Sequence, residues 1–132
     1  MAVQEISGSE ILSNILMEMN LNGKFPISVL TDKEGLPIAS ASTDGTDPER
    51  QSAVVAFIQK TSIQVTKQLG FKDLDEISFS YANGQHLISR PFNVKDNVLT
   101  LAIIVTDRDQ PYRRAIKTAI AEIQKVWDFY WK

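Results

Sequence analysis

The chain has 132 residues, with 14 Lys and Arg against 16 Asp and Glu, and 43% of it is apolar. That is the length of one domain, here expected to span 1–132, with a globular balance of apolar and charged residues. The absence of cysteine excludes disulfide scaffolds, thiol catalysis and Cys-ligated zinc or iron–sulfur centres. A single histidine, His86, leaves too little for a histidine-built metal site or a Ser-His-Asp relay, and a net charge of −2 lacks the basic footprint of a nucleic-acid binder.

No basic segment precedes Lys24, and the longest apolar run, 98–105, falls far short of the roughly 20 residues a membrane span needs. A soluble, cytoplasmic protein without membrane insertion is expected.

The first helix is expected from Ser7, whose hydroxyl can cap it while Glu10 follows three residues later. Ile11, Leu12, Ile15, Leu16 and Met19 share one face, and Gly23 closes the helix. From Phe25 the pattern becomes that of strands: a hairpin of 27–31 and 36–42 about a turn at 32–35, with Gly35 at the positive-φ position. Asp47 and Pro48 then form a cap and first position for a second helix, which Gly70 ends. Val54, Phe57, Ile58, Thr61, Val65 and Leu69 form its main apolar stripe and are expected to face the core.

Strands at 77–81 and 86–92 follow, joined by the hairpin dipeptide Asn83-Gly84. The run 98–106 is apolar on both faces and belongs in the middle of the sheet. A last helix is expected from Pro111, capped by Asp107 or Asp109. Tyr112, Ile116, Ala119, Ile120, Ile123, Val126, Trp127 and Tyr130 line its inner side, while Phe129 and Trp131 point partly off it. The class is α+β, in the element order αββαβββα, with helices on both faces of a largely antiparallel sheet.

Two segments have the composition of a partner surface. Between Gln51 and Phe71 only Lys60 and Lys67 carry charge, in a chain that is 23% charged, and Val55, Ala56 and Ile63 lie off the main stripe. The strand Ile77-Ser78-Phe79-Ser80-Tyr81 has neither charge nor proline, and at a sheet edge it would invite pairing with a second copy. The candidate dimer interface is therefore Val55, Gln59, Ser62, Ile63 and Thr66 of the helix with Ile77, Phe79 and Tyr81 of the strand.

With the hairpin LTDKEGLPIAS and this element order in view, the chain resembles the roadblock family of dynein light chain-like and MglB-like proteins over nearly its whole length, from about Ser9. The most specific piece runs from Thr31 through Asp32, Gly35 and Leu36-Pro37-Ile38-Ala39 to Ser40. The resemblance implies a profilin-like architecture. Its five-stranded antiparallel sheet would run in the order 2-1-5-4-3, with the first and third helices on one face and the second on the other. It also implies pairing through the second helix and third strand, and a non-enzymatic signalling role as a dimer, homo- or heteromeric, that binds a small Ras-like GTPase and modulates its nucleotide cycle or location. Pro91 departs from the pattern: a bulge there, or a strand ending at Arg90, is expected.

An arginine that stabilises transition-state charge is one way to stimulate a GTPase. The arginines here are Arg50, Arg90, Arg108, Arg113 and Arg114. Arg50, Lys60 and Lys67 of the second helix are the candidate GTPase contacts. The acids Asp73, Asp75 and Glu76 are expected simply to face water, and phosphate-binding and calcium-loop signatures are absent. No cofactor or metal is expected. The competing readings are an adaptor subunit of a larger complex and a small-ligand sensor. Phe57, Phe79, Trp127 and Tyr130 count against the sensor if they fill the core.

Overall fold

The computed structural model describes residues 7–130, and of Tyr130 the backbone only. The elements are α1 (Gly8–Gly23), β1 (Ile27–Thr31), β2 (Pro37–Ser42), α2 (Pro48–Leu69), β3 (Ile77–Ser80), β4 (His86–Val94), β5 (Asn97–Val105) and α3 (Arg113–Tyr130). Five antiparallel strands form one sheet in the order β2-β1-β5-β4-β3. β5 is central, and β2 and β3 are the edges.

Local chemistry explains most of the boundaries. Ser7 Oγ accepts the Glu10 N–H at 3.2 Å, satisfying a first-turn donor of α1. The β1–β2 turn is closed from within: Asp32 Oδ1 accepts the N–H groups of Glu34 and Leu36 at 2.8 and 3.0 Å, and Gly35 takes φ +86°. Asp47 caps α2 by accepting the Glu49 N–H at 3.0 Å, Pro48 opens it, and Gly70 ends it at φ +70°.

Three expectations are corrected. α3 starts at Arg113 rather than Pro111, and Tyr112 contributes the carbonyl that accepts its first helical N–H, from Ile116. Asp107 does not cap the helix. It folds the preceding loop, accepting the Asp109 N–H on its side chain and the Gln110 N–H on its carbonyl. The Gln110 amide then reaches the carbonyls of Gly23 and Lys24, tying this loop to the end of α1. Nor does Pro91 break β4, whose pairing with β5 runs unbroken from His86↔Val105 to Val94↔Asn97. β3 pairs only with residues 86–89, so past Ser89 the outer edge of β4 has no neighbour and a missing donor is tolerated there.

The main core lies between one sheet face and the pair α1 and α3. Leu12, Leu16 and Met19 of α1 and Ile116, Ile123 and Trp127 of α3 meet Leu30, Ile88, Leu99, Leu101 and Ile103. Phe129 is exposed. The inward placement expected of Tyr130 and the outward one of Trp131 lie outside the described side chains. Asn20, buried at the end of α1, donates from Nδ2 to the Ala41 carbonyl at 3.1 Å and so fixes α1 over β2. Strand alternation sends Ile27, Val29, Thr31, Thr100 and Ala102 to the opposite face, where α2 packs over β1 and β2. That second layer is thin and partly polar.

Candidate functional interface

Of the stripe expected to face the core, Ile58 alone is buried, and α2 is turned so that the rest of the stripe faces outward. Val55 is 0% exposed and sits on the sheet with Ile58, Gln51 and Ser52, whereas Phe57 is 72% exposed and Val54, Val65 and Leu69 also face outward. Val55 therefore belongs to the chain's own packing and not to an interface. Gln59, Ser62 and Thr66 are half-buried, with Ser62 Oγ donating to the Gln59 carbonyl at 2.7 Å, and Ser62 and Thr66 border a cavity on the outer side of the helix. Of the interface residues expected from the helix, only Ile63 is exposed.

The physical reason lies in the sheet. β5 presents Leu99, Leu101 and Ile103 to α1 and α3, but Thr100 and Ala102 to α2. A small, partly polar strand face accepts a helix side made of Gln, Ser, Thr and Val. It also allows close approach: the Cα of Gly35 comes so near Ala56 that a Cβ at position 35 would lie 2.2 Å from the Ala56 Cβ.

The exposed apolar side of α2 forms one wall of a trough running towards β3. At the N-terminal end of the helix a cavity of about 440 Å³ is lined by Arg50, Gln51, Val54, Tyr81, Leu87 and Ile104, among others. At the C-terminal end another of about 490 Å³ is lined by Phe57, Val65, Leu69, Phe71, Leu74, Ile77 and Phe79, among others. Val54, Ile58, Thr61 and Val65, three or four residues apart, make the wall continuous between them. Five residues expected at the interface meet here: Ser62 and Thr66 on α2, Ile77 and Phe79 on β3, and exposed Tyr81 just past its end. β3 itself is an edge strand, free of charge and proline, with its outer ladder unpaired. Phe57 and Phe79 thus do not fill the core, and of the four large side chains expected there Trp127 is buried.

Sequence reasoning missed Phe71, Leu74, Leu87 and Ile104 as members of this surface. Phe71 and Leu74 stand in the loop between α2 and β3. Leu87 and Ile104 are uncovered because α2 stops short of β4. The visible signal was the density of apolar residues from Leu69 to Phe79.

The candidate GTPase contacts do not converge. Arg50 is exposed and lines the N-terminal cavity, while helical spacing puts Lys60 and Lys67 on the flank of α2 shared with Ala56 and Ile63, away from the trough. Two of the five arginines are engaged within the chain. Arg90 pairs with Asp75 at 3.2 Å, and Arg113 lies 3.7 Å from Glu76 and over the Tyr112 ring. The acidic turn is therefore not simply solvated. Glu76 is largely buried and accepts the Tyr112 hydroxyl at 2.9 Å. Burial first, and then this bond to a carboxylate, push the Tyr112 hydroxyl pKa up. His86 is half-buried, its Nδ1 3.1 Å from Ser80 Oγ. Among the described residues no group of three His, Asp or Glu is placed to hold a metal ion, and no helix is long and apolar enough to cross a membrane.

Solved structures match this arrangement of strands and helices. Myxococcus xanthus MglB is 19% identical, with 99% of this chain and 98% of that one aligned at a TM-score of 0.78. An MglB solved in a tetrameric arrangement is 15% identical over 97% and 96% of the two chains, at 0.73. A Roadblock/LC7 domain from Streptomyces avermitilis is 14% identical over 89% and 95%, at 0.61. The chain has the roadblock fold. No family model matches the sequence, and no curated protein matches it. Two of the roadblock fold's elements, α2 and β3, are the ones that carry the uncovered trough.

Proposed function

We propose that this chain is a non-enzymatic regulator that dimerises through the β3 edge and the α2 trough, and that the dimer binds a small Ras-like GTPase and modulates its nucleotide cycle or location. The observation that carries the reading is the continuity of the two surfaces: an unpaired, charge-free edge strand leads directly into an apolar trough walled by Phe57, Val65 and Leu69. An apolar surface of this extent on a small protein marks an association site. A second copy fits both parts, extending the sheet across β3 and covering the trough with its own outward helix face. The tetrameric arrangement of one MglB of the same fold is in keeping with self-association.

The GTPase would dock on what such a dimer leaves uncovered. Lys60 and Lys67 lie on the flank away from the trough and remain exposed when it is filled. Arg50, at the mouth of the N-terminal cavity, makes no ion pair among the described residues. Ordering of the GTPase's own switch loops is the simplest mode of action, since it demands no catalytic group from this chain.

The test is the solution mass by light scattering for wild type, Phe57→Glu and Phe79→Glu. It is followed by calorimetric titration of a small Ras-like GTPase, loaded with GDP or with a GTP analogue, into wild type and a Lys60→Glu/Lys67→Glu variant. A wild-type dimer broken by either phenylalanine substitution, with GTPase binding lost in the lysine variant while its mass stays dimeric, supports the whole reading. A dimer that binds no GTPase leaves the adaptor role, and a wild-type monomer removes the shared-sheet model.

A further inference from the structure

Beneath α2 lies a layer of buried polar groups without partners. Gln51, at the base of the N-terminal cavity, is only 8% exposed and neither of its amide atoms is hydrogen-bonded within the chain, and Gln59 Oε1 is buried without a partner in the chain as well. From the sheet, the cross-strand pair Thr31 and Thr100 faces the same layer, and both hydroxyls are buried without a partner. The two threonine hydroxyls and Gln59 Oε1 find no hydrogen bond within the chain, and a half-satisfied layer holds two elements together less well than an apolar one. Against this, Val55 and Ile58 are the only fully buried apolar residues on this helix of 22 residues. The other layer is built differently. Ser28 Oγ and Asn20 Oδ1 lack partners there, but they are set among a continuous apolar cluster that α1 and α3 enter with every buried turn.

We propose that the α2–sheet layer is a slip plane: α2 is seated loosely and moves over the sheet in small shear steps, and a partner in the trough on its outer side fixes where it rests. Helix sliding of this kind is a recognised form of conformational switching. Arg50, Lys60 and Lys67 ride on α2, so a shift of the helix changes the spacing between its basic groups and the rest of the surface. The role given to the trough rests on the dimer reading above, whereas the slip plane stands on the buried polar groups alone.

Hydrogen–deuterium exchange, resolved by element and run beside light scattering, tests it. In the wild type, amides of the α2 interior should exchange at least about ten-fold faster than those of α1 and α3. Thr31→Val with Thr100→Val removes both hydroxyls at nearly constant volume and should slow α2 exchange about ten-fold while the solution mass stays the same. Gln59→Leu, outside both cavities of the trough, is an independent second route to the same slowing. Exchange of α2 as slow as that of α1 and α3, or no slowing in either variant, overturns the slip plane. Dilution separates the two readings: α2 exchange that quickens as a dimer dissociates ties the helix to the trough. A protein monomeric at every concentration removes that tie and leaves the slip plane to be judged by the variants.

Discussion

Gly35 sits at φ +86° in the β1–β2 turn with the backbone of Ala56 against it. A methyl there meets two penalties together, the left-handed backbone and a contact 2.6 Å from the Ala56 Cα, which only a displacement of the turn or of the whole helix relieves. Gly35→Ala is expected to lower unfolding stability by about 2 kcal/mol or more in urea titration. Tyr112 allows a prediction with pH. Its hydroxyl donates to Glu76 and its pKa is raised above the ordinary value of 10.0, so the folded state holds this proton more tightly than the unfolded one. The stability this contributes is fully present below the unfolded pKa and is lost as pH rises through the folded one. Tyr112→Phe should therefore flatten part of the decline in stability seen above pH 10 in denaturant titrations. The turn residues Asp32 and Gly35 were legible from sequence because their chemistry is local. The Tyr112–Glu76 bond spans 36 positions, and nothing in the pattern of either segment announces the other.

At the scale of elements, α2 separates what pattern reveals from what only packing decides. Its cap Asp47, its opening Pro48 and its stop Gly70 were readable, since capping is a matter of a few adjacent residues. Its inward side was not. The helix has a large apolar stripe and a smaller mixed one, and the choice between them depends on a strand face, that of Thr100 and Ala102, lying about 40 residues downstream. Burial assigns opposite consequences to neighbouring residues. Val55→Ala should cost about 2 kcal/mol of unfolding stability through lost burial and the cavity left behind. Phe57→Ala, measured at high dilution, should stay within about 0.5 kcal/mol yet weaken self-association by ten-fold or more in light scattering. The reverse result, a costly Phe57→Ala and a silent Val55→Ala, would restore the original stripe to the core. β3 was legible as pairing-prone from its composition, but its place at the edge came from the sheet order implied by resemblance and not from its own residues.

For the molecule as a whole, the two helical layers are unequal. One holds nearly all of the large buried side chains, and the other leaves its apolar residues facing out. A protein so divided keeps its fold with one layer and its associations with the other, so charge substitutions in the trough should change the solution mass while leaving the helical circular-dichroism spectrum in place. The sheet order has a further consequence, for the time course of folding. β1 pairs on one side with β2 through a turn of a few residues, but on the other with β5, Ser28 lying opposite Ile103. Everything from α2 to β4 is the loop that this contact closes. A nascent chain that has released α1, β1, β2 and α2 from the ribosome thus carries Leu12, Leu16 and Leu30 without the strand and helix that cover them, and the domain is committed only when its last third emerges.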